Sequence, residues 1–127
     1  MKRVYLCGPI NGCNDTQART WREEFKARST DLELVDPMKR DYRGKEAANY
    51  REIVDLDKLD IRSCDVVVVM YVQPSVGTSM EVFYAWTLGI PVIVIDQSGK
   101  PLSPWLKYHS TAIVETIHEV LTKIEQW

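Results

Sequence analysis

The chain has few of the residues from which metal centres and disulfide frameworks are built. Among its 127 residues are two histidines and three cysteines, an odd number with no Cys-x-x-Cys pair. Such a set argues against a disulfide scaffold or a zinc site and suits a reducing compartment. We therefore expect a cytoplasmic protein that needs no metal or organic cofactor, with Cys7 and Cys64 as inert core thiols.

The sequence also lacks a surplus of positive charge and any long apolar run. Its formal net charge of −2 does not favour a nucleic-acid polymer as partner. The longest apolar runs are about eight residues, too short to span a membrane, and the short apolar segment before Gly8 does not resemble a secretory signal. These absences favour an ordinary globular protein without membrane association, and the length suits one domain over residues 1–127.

What the chain does contain is an alternation of strand-like and helix-like segments. Strands are predicted at residues 3–7, 32–37, 65–72 and 90–96, with a short fifth one at 111–115. Helices are predicted at 15–29, 47–64 and 78–89, with further helical segments beginning at Ser103 and Thr116. This order, with strands that are apolar on both faces, predicts a flavodoxin-like or Rossmann-like three-layer α/β sandwich around a parallel sheet of about five strands.

Ligands of such sheets bind at the carboxyl ends of the strands, where the strand order reverses. Three loops are expected to meet there, at residues 8–14, 73–78 and 96–103. The first contains Gly8 and Gly12, which would let a ligand approach the backbone closely. It has neither a dinucleotide-binding nor a P-loop pattern, and on the residues alone it is equally well a tight strand-to-helix turn.

One carboxylate stands out in the stretch QPSVGTSMEVFYAWTLG, which is otherwise apolar or small. Thr78 and Glu81 have the spacing of a capping box, in which each side chain satisfies the other's backbone amide. Glu81 also shares a helical stripe with Ala85 and Leu88 and lies at the ligand-binding end of the sheet. It is therefore a candidate nucleophile as well, and the two roles are compatible.

A second carboxylate lies on the helix before this stretch. Asp57 shares an apolar face with Ile53 and Ile61. A carboxylate on such a face needs a hydrogen-bonding or charged partner, or it has a function. Together with Glu81 it would supply the carboxylate pair of glycosidic chemistry, one nucleophile and one acid. The alternatives are that Asp57 only hydrogen-bonds a neighbouring loop, or that Asp60 is the residue that faces the pocket.

Three stretches resemble the nucleoside 2-deoxyribosyltransferase family: VYLCGPI, DLDKLDIRSCDVVVV and QPSVGTSMEVFYAWTLGIPVIVI. The resemblance covers residues 4 to about 109 and implies cleavage of an N-glycosidic bond, with retention of configuration, through a glycosyl-enzyme ester. By motif position, Glu81 matches the nucleophile, Asp57 the aspartate that helps to protonate the leaving base, and Tyr5 the tyrosine that orients the nucleophile. The resemblance also implies that the pocket is lined by Gly8, Ile10, Gly77 and Met80.

One departure from the family pattern bears on the substrate. Members that act on free nucleosides tend to have Asp six residues before the nucleophile, where this chain has Ser75. The branch that hydrolyses deoxynucleoside 5′-monophosphates has Ser there, and a hydroxyl can donate to a phosphate that a carboxylate would repel. Ser103 resembles a second phosphate-contacting serine of that branch, donated across a dimer interface. Asn11 stands among the implied substrate-binding residues where some of these hydrolases have Arg.

The resemblance therefore predicts a homodimer or larger homo-oligomer that acts on a nucleoside 5′-monophosphate. Hydrolysis and transfer of the sugar to a second base both stay open, because they share one intermediate. The alternatives are a 2-deoxyribosyltransferase for free nucleosides and a non-catalytic nucleotide sensor built on the same sheet.

Overall fold

The structure is a computed structural model that describes residues 1–127 and contains one sheet of five parallel strands. The strands are β1 (Arg3–Cys7), β2 (Glu33–Val35), β3 (Val66–Tyr71), β4 (Val92–Asp96) and β5 (Ala112–Val114). The helices are α1 (Asp15–Arg28), α2 (Glu46–Arg62), α3 (Val76–Thr87), α4 (Pro104–Tyr108) and α5 (Ile117–Glu125), with a 3-10 turn at Pro37–Lys39 in the loop between β2 and α2. The predicted α/β sandwich is confirmed. None of the helices combines the length and the apolar character that a membrane span requires.

The central strand β3 is buried throughout because its side chains alternate between two apolar cores. Val66, Val68 and Met70 pack with residues of α1 and α5 on one face of the sheet. Val67 and Val69 pack with residues of α2, α3 and α4 on the other face. A continuous run of β-branched side chains suits a strand that is covered on both sides.

The strand order β2-β1-β3-β4-β5 places the reversal of the chain path between β1 and β3. These two strands pair in parallel, with Tyr5 opposite Val67 and Cys7 opposite Val69. The loops that follow both strands therefore leave the same edge of the sheet. This is the position at which open α/β sheets bind ligands.

A fully buried arginine lies beneath the loop after β1. The guanidinium of Arg22 donates to the carbonyl oxygens of Leu6 at 3.3 Å and Gly8 at 3.2 Å, and it forms an ion pair of 3.4 Å with Asp36. Several acceptors together compensate the loss of hydration of a buried cation. A Cβ on Gly8 would lie 3.0 Å from Cζ2 of Trp21, so any larger residue there would have to displace the Trp21 ring of α1.

Helix α3 begins earlier than predicted. Its N-cap is Ser75, whose Oγ accepts a hydrogen bond of 3.3 Å from the amide of Thr78. The capping box predicted for Thr78 and Glu81 is therefore wrong, because Glu81 lies beyond the first turn and uses its carboxylate elsewhere. Leu88, placed above on one helical stripe with Glu81 and Ala85, is the half-exposed C-cap of this helix.

Candidate active site

Two side chains of β1 hold the carboxylate of Glu81. The hydroxyl of Tyr5 donates a hydrogen bond to Oε2, and the thiol of Cys7 lies 3.6 Å from Oε1. Tyr5 and Cys7 are two positions apart on a strand and so face the same side of the sheet. Cys7 is buried, as expected of a core thiol, but its contact with Glu81 was not anticipated. The period of two in β1 is the signal that could have revealed it.

Asp57 and Glu81 line one cavity of about 380 Å³ between α2 and α3. Two further residues predicted for the pocket, Gly77 and Met80, line it as well. The other lining residues are mostly apolar: Ile53, Val54, Lys58, Ile61, Phe83, Tyr84 and Thr87. An apolar cavity with a few converging polar groups is the usual form of a small-molecule site.

The predicted residues of the loop after β1 are not among those that line this cavity. Gly8 is buried against Trp21. Ile10 packs on a small core cluster beneath the loop, and Asn11 is exposed. These residues follow the strand that carries Tyr5 and lie at the same sheet edge, but the structure does not bring them into the cavity of Glu81.

The two predicted phosphate-contacting serines are both helix caps. Ser75 caps α3, one turn before the cavity-lining Met80. Ser103 caps α4, where its Oγ accepts a hydrogen bond of 3.2 Å from the amide of Trp105. Ser103 lines a separate cavity of about 290 Å³, which shares Met80 and Phe83 with the cavity of Glu81. The two cavities are therefore neighbours.

The surroundings of Glu81 make its carboxyl a weak acid. Burial and, next, the charge of Asp57 raise the pKa of Glu81 to about 7. The hydrogen bonds from Tyr5 and Cys7 and the charge of Arg22 act in the opposite direction. Burial also raises the pKa of Cys7 well above its usual range, so this residue remains a thiol and can donate to the carboxylate.

Asp57 is shifted in the same direction by a different environment. Burial raises the pKa of Asp57 to about 6, assisted by the charge of Asp60 and opposed by the guanidinium of Arg40. Arg40 lies 3.4 Å from Oδ1 of Asp57 and 2.7 Å from Oδ2 of Asp60. Asp57 thus lines the cavity and also contacts a neighbouring loop, and Asp60 is not a lining residue.

Two carboxyl groups that both titrate near neutral pH in one cavity are an arrangement typical of catalytic sites. The ionised form of one can act as a nucleophile, and the protonated form of the other can donate to a leaving group. Because the two charges interact, the pair shares its protons. The singly protonated pair therefore includes a form with the proton on Glu81, which the two pKa values favour, and a form with the proton on Asp57, in which Glu81 is ionised.

Two arginines of the site were not found from the sequence. Arg22 is four positions after Ala18 and continues the buried side of α1, a spacing that could have been noticed. Arg40 lies in a polar loop without periodicity, where no sequence pattern distinguishes it from its charged neighbours.

The fold and this site together define an α/β domain with a carboxylate pair at the reversal point of its parallel sheet. The family model described as nucleoside 2-deoxyribosyltransferase matches residues 4–122, and the chain belongs to that family.

One relative in sequence and two solved structures are similar to this chain, the structures in fold. The chain is 33% identical over 110 residues to the mouse (Mus musculus) protein named 5-hydroxymethyl-dUMP N-hydrolase, covering 82% of this chain and 64% of the mouse protein. The structure resembles that of a 2-deoxyribosyltransferase from Bacillus psychrosaccharolyticus, with a TM-score of 0.74 at 18% identity over 93% of this chain and 89% of that one. It also resembles a CMP N-glycosidase from Clostridium botulinum, with a TM-score of 0.62 at 19% identity over 98% and 99% of the two chains.

Proposed function

We propose that the protein cleaves the N-glycosidic bond of a nucleoside or deoxynucleoside 5′-monophosphate through a glycosyl-enzyme ester on Glu81. The observation that carries the proposal is the orientation of the Glu81 carboxylate by Tyr5 and Cys7 beside a cavity that also contains Asp57. A sensor that only binds nucleotides would not need a partly desolvated carboxylate with dedicated donors, because burial of such a group is costly.

The chemistry follows from these groups. In the first step a carboxylate oxygen of Glu81 bonds to C1′ while the C1′–N bond breaks, and Asp57 transfers its proton to the departing base. In the second step the oxygen of water bonds to C1′, the ester bond to Glu81 breaks, and the proton of the water passes to Asp57. A second nucleobase in place of water would give sugar transfer instead of hydrolysis.

The start of α3 supports a 5′-phosphate on the substrate. The amides of Val76 and Gly77 belong to the first turn of the helix, where N–H groups have no partner within the helix and favour an anion. Thr78 in the same turn has a buried hydroxyl without a hydrogen-bond partner. Ser75 precedes them with a neutral side chain, so no carboxylate at that position repels a phosphate. The name of the mouse relative, a nucleoside monophosphate hydrolase, agrees with this choice.

We further propose that the protein is a homodimer, and an exposed apolar surface supports this. Its residues are Met80, Phe83 and Trp86 of α3 and Trp105 and Tyr108 of α4, which are 45–73% exposed. Contiguous exposed aromatic side chains of this kind mark protein interfaces. Because Met80 and Phe83 also line the cavity of Glu81, a second copy seated on this surface would close the cavity and bring its own Ser103 close to it.

We propose a cytoplasmic location for the protein. All three cysteines are free thiols in the fold, and a reducing compartment keeps them so.

The test is a screen of nucleosides and their 5′-monophosphates, each with and without an acceptor base, in which free and exchanged base are measured by chromatography. We expect base release from monophosphates, none from the Glu81→Gln variant, and a sugar adduct on the intact protein after acid quenching. Exchange on free nucleosides with equal kcat/KM for both substrate classes would favour the nucleoside transferase. Binding without any turnover would favour the sensor.

A further inference from the structure

The carboxylate of Asp57 shares one guanidinium with Asp60. Nη2 of Arg40 lies 2.7 Å from Oδ2 of Asp60 and 3.4 Å from Oδ1 of Asp57. Asp57 and Asp60 are nearly one turn apart on α2 and present their carboxylates to the same side, and Arg40 reaches both from the loop between β2 and α2. The shorter contact shows that Asp60 is the main holder of the guanidinium.

This contact differs from an ordinary surface ion pair. The side chains of Arg40, Asp57 and Asp60 are 21%, 25% and 17% exposed, so all three are mostly removed from water. A second cation, Lys39, lies 3.5 Å from Asp60, whereas Arg40 is the ion-pair partner of Asp57. The arrangement gives Asp57 a cation that stays in place whether or not Asp57 itself is charged.

We propose that Arg40, held by Asp60, is a positioning residue that fixes the Asp57 carboxyl beside the cavity and sets how readily it gives up its proton. The inference rests on the proposed function, in which Asp57 protonates the departing base. When that proton leaves, Asp57 becomes an anion next to a guanidinium that is already placed to stabilise it. Without Arg40 the new charge would face the charge of Asp60, which opposes it, whereas Glu81 is by then a neutral ester.

Asp60 limits this effect. It occupies the closer position on Arg40, and so it prevents the guanidinium from pairing fully with Asp57 and holding that residue permanently ionised. A carboxyl that must alternate between its neutral and charged forms requires a cation close enough to stabilise the anion but already engaged elsewhere.

The titratable and charged groups that act on Asp57 come from every element around it. They are Asp60 of α2, Glu81 of α3, Tyr5 and Cys7 of β1, Arg22 of α1, and Arg40 and Tyr42 of the loop between β2 and α2. Lys58 of α2 lines the same cavity. Arg40 is the cation with the largest influence on Asp57, and its effect is opposite to that of burial.

The experiment measures the titration of Asp57 directly and through catalysis. The ¹³Cγ resonance of Asp57 is followed against pH in a Glu81→Gln background, which removes the coupled carboxyl, and kcat/KM for base release is measured against pH with Glu81 intact. Each is repeated with Arg40→Gln, Arg40→Lys and Asp60→Asn. Arg43→Gln is the matched control, because Arg43 lies in the same loop, is also 21% exposed and pairs with Asp15 and Asp41 instead.

We expect Arg40→Gln and Asp60→Asn to shift the pKa of Asp57 in opposite directions. Arg40→Gln should raise the pKa of Asp57 by about one unit or more, the usual effect of losing an opposite charge at this distance, and lower kcat about tenfold with little change in KM. Asp60→Asn should lower the pKa, because Arg40 then pairs with Asp57 alone. Arg40→Lys should leave the pKa of Asp57 and the pH profile of kcat/KM close to those of the wild type. Arg43→Gln should change neither.

Two results would overturn the inference. One is a pKa of Asp57 that Arg40→Gln leaves unchanged or lowers. Entry of water into an opened loop would lower it. The other is an equal upward shift in Arg43→Gln. If the unmutated protein releases no base from any substrate, the proposed function fails, whereas the resonance titration still decides whether Arg40 controls the proton on Asp57.

Discussion

The hydroxyl of Tyr5 donates a hydrogen bond to Oε2 of Glu81, across 76 positions of the chain. The other carboxylate oxygen, Oε1, has only the weak thiol donor of Cys7 at 3.6 Å. A strong donor withdraws charge from the oxygen that it binds. Oε1 is therefore the oxygen that we expect to attack C1′.

Replacement of Tyr5 by Phe should slow the reaction and change its pH dependence. The phenol favours the ionised form of Glu81, so its loss should raise the pKa of Glu81 above 7 and move the acidic limb of kcat/KM upward. We expect kcat to fall about tenfold to a hundredfold, with a loss of about 1 kcal/mol in the free energy of unfolding. Tyr71→Phe, in the same core, is the control, and an unchanged profile for Tyr5→Phe would assign that residue to packing alone.

Replacement of Glu81 by Gln should abolish base release and stabilise the fold at neutral and alkaline pH. The folded-state pKa of Glu81 is about 7, above its usual value of 4.5, so the folded state holds this proton more tightly. The associated stability is fully present below about pH 4.5 and is lost as pH rises through 7. Urea unfolding at pH 5 and 8 should show the variant gaining about 1–3 kcal/mol over the wild type at the higher pH only. Near-normal turnover with a lowered Tm would show a purely structural role.

Replacement of Asp57 by Asn should preserve substrate binding and slow cleavage. The amide cannot donate a carboxyl proton, so the loss should be largest for bases that leave poorly. The measurement is kcat for a series of bases of different acidity, with binding followed by calorimetry. Asp55→Asn, an exposed neighbour on the same helix, should behave as the wild type, and a uniform loss across all bases would argue against proton donation by Asp57.

Replacement of Ser75 by Asp should erase the preference for 5′-monophosphates. We expect the wild type to prefer them by about tenfold to a thousandfold, mainly through KM, since each charge-assisted hydrogen bond contributes roughly 1.5–3 kcal/mol before desolvation. The Asp side chain keeps the helix cap but adds a negative charge beside the phosphate. Ser75→Asn keeps the cap without the charge and should retain the preference. Equal kcat/KM for a deoxynucleoside and its monophosphate in the wild type would contradict this prediction.

Replacement of Trp105 by Glu should dissociate the proposed homodimer and weaken phosphate recognition with it. A charge on the exposed aromatic surface leaves the monomer soluble but opposes association. Light scattering should show the loss of mass, and KM for the monophosphate should rise, a rise that we also expect for Ser103→Ala. If the wild type is monomeric at all concentrations and fully active, the partner's Ser103 does not contribute to the site.

The sequence predicted the structure best where the hydrophobic period or a turn residue was compatible with only one kind of element. The buried run of β3 and the alternation of elements were enough for the sheet, and Glu81 and Asp57 could be found as carboxylates on apolar faces. The start of α3 was misplaced because Ser75 and Thr78 are both good caps, and only tertiary contacts decide between them. The capping-box interpretation of Glu81 failed for the same reason.

Other parts of the site depend on distances that no local pattern contains. Arg40 meets Asp57 because the loop between β2 and α2 folds back over α2, and the sequence of that loop offers several equivalent charges. Likewise, no local pattern indicates that Ile10 packs on a core cluster and that Asn11 is exposed. Such details are set by packing rather than by propensity.

The pairing of β1 with β3 has a consequence for how activity is acquired. The carboxylate on α3 has no donors until the first strand of the chain docks beside a strand more than sixty positions later, a slow kind of contact in folding because a long loop must close first. Helices could form early, but an intermediate without docked β1 would contain Glu81 as an ordinary exposed acid. Recovery of turnover during refolding should therefore lag behind recovery of the helical circular dichroism signal. Proteolytic removal of β1 should abolish activity.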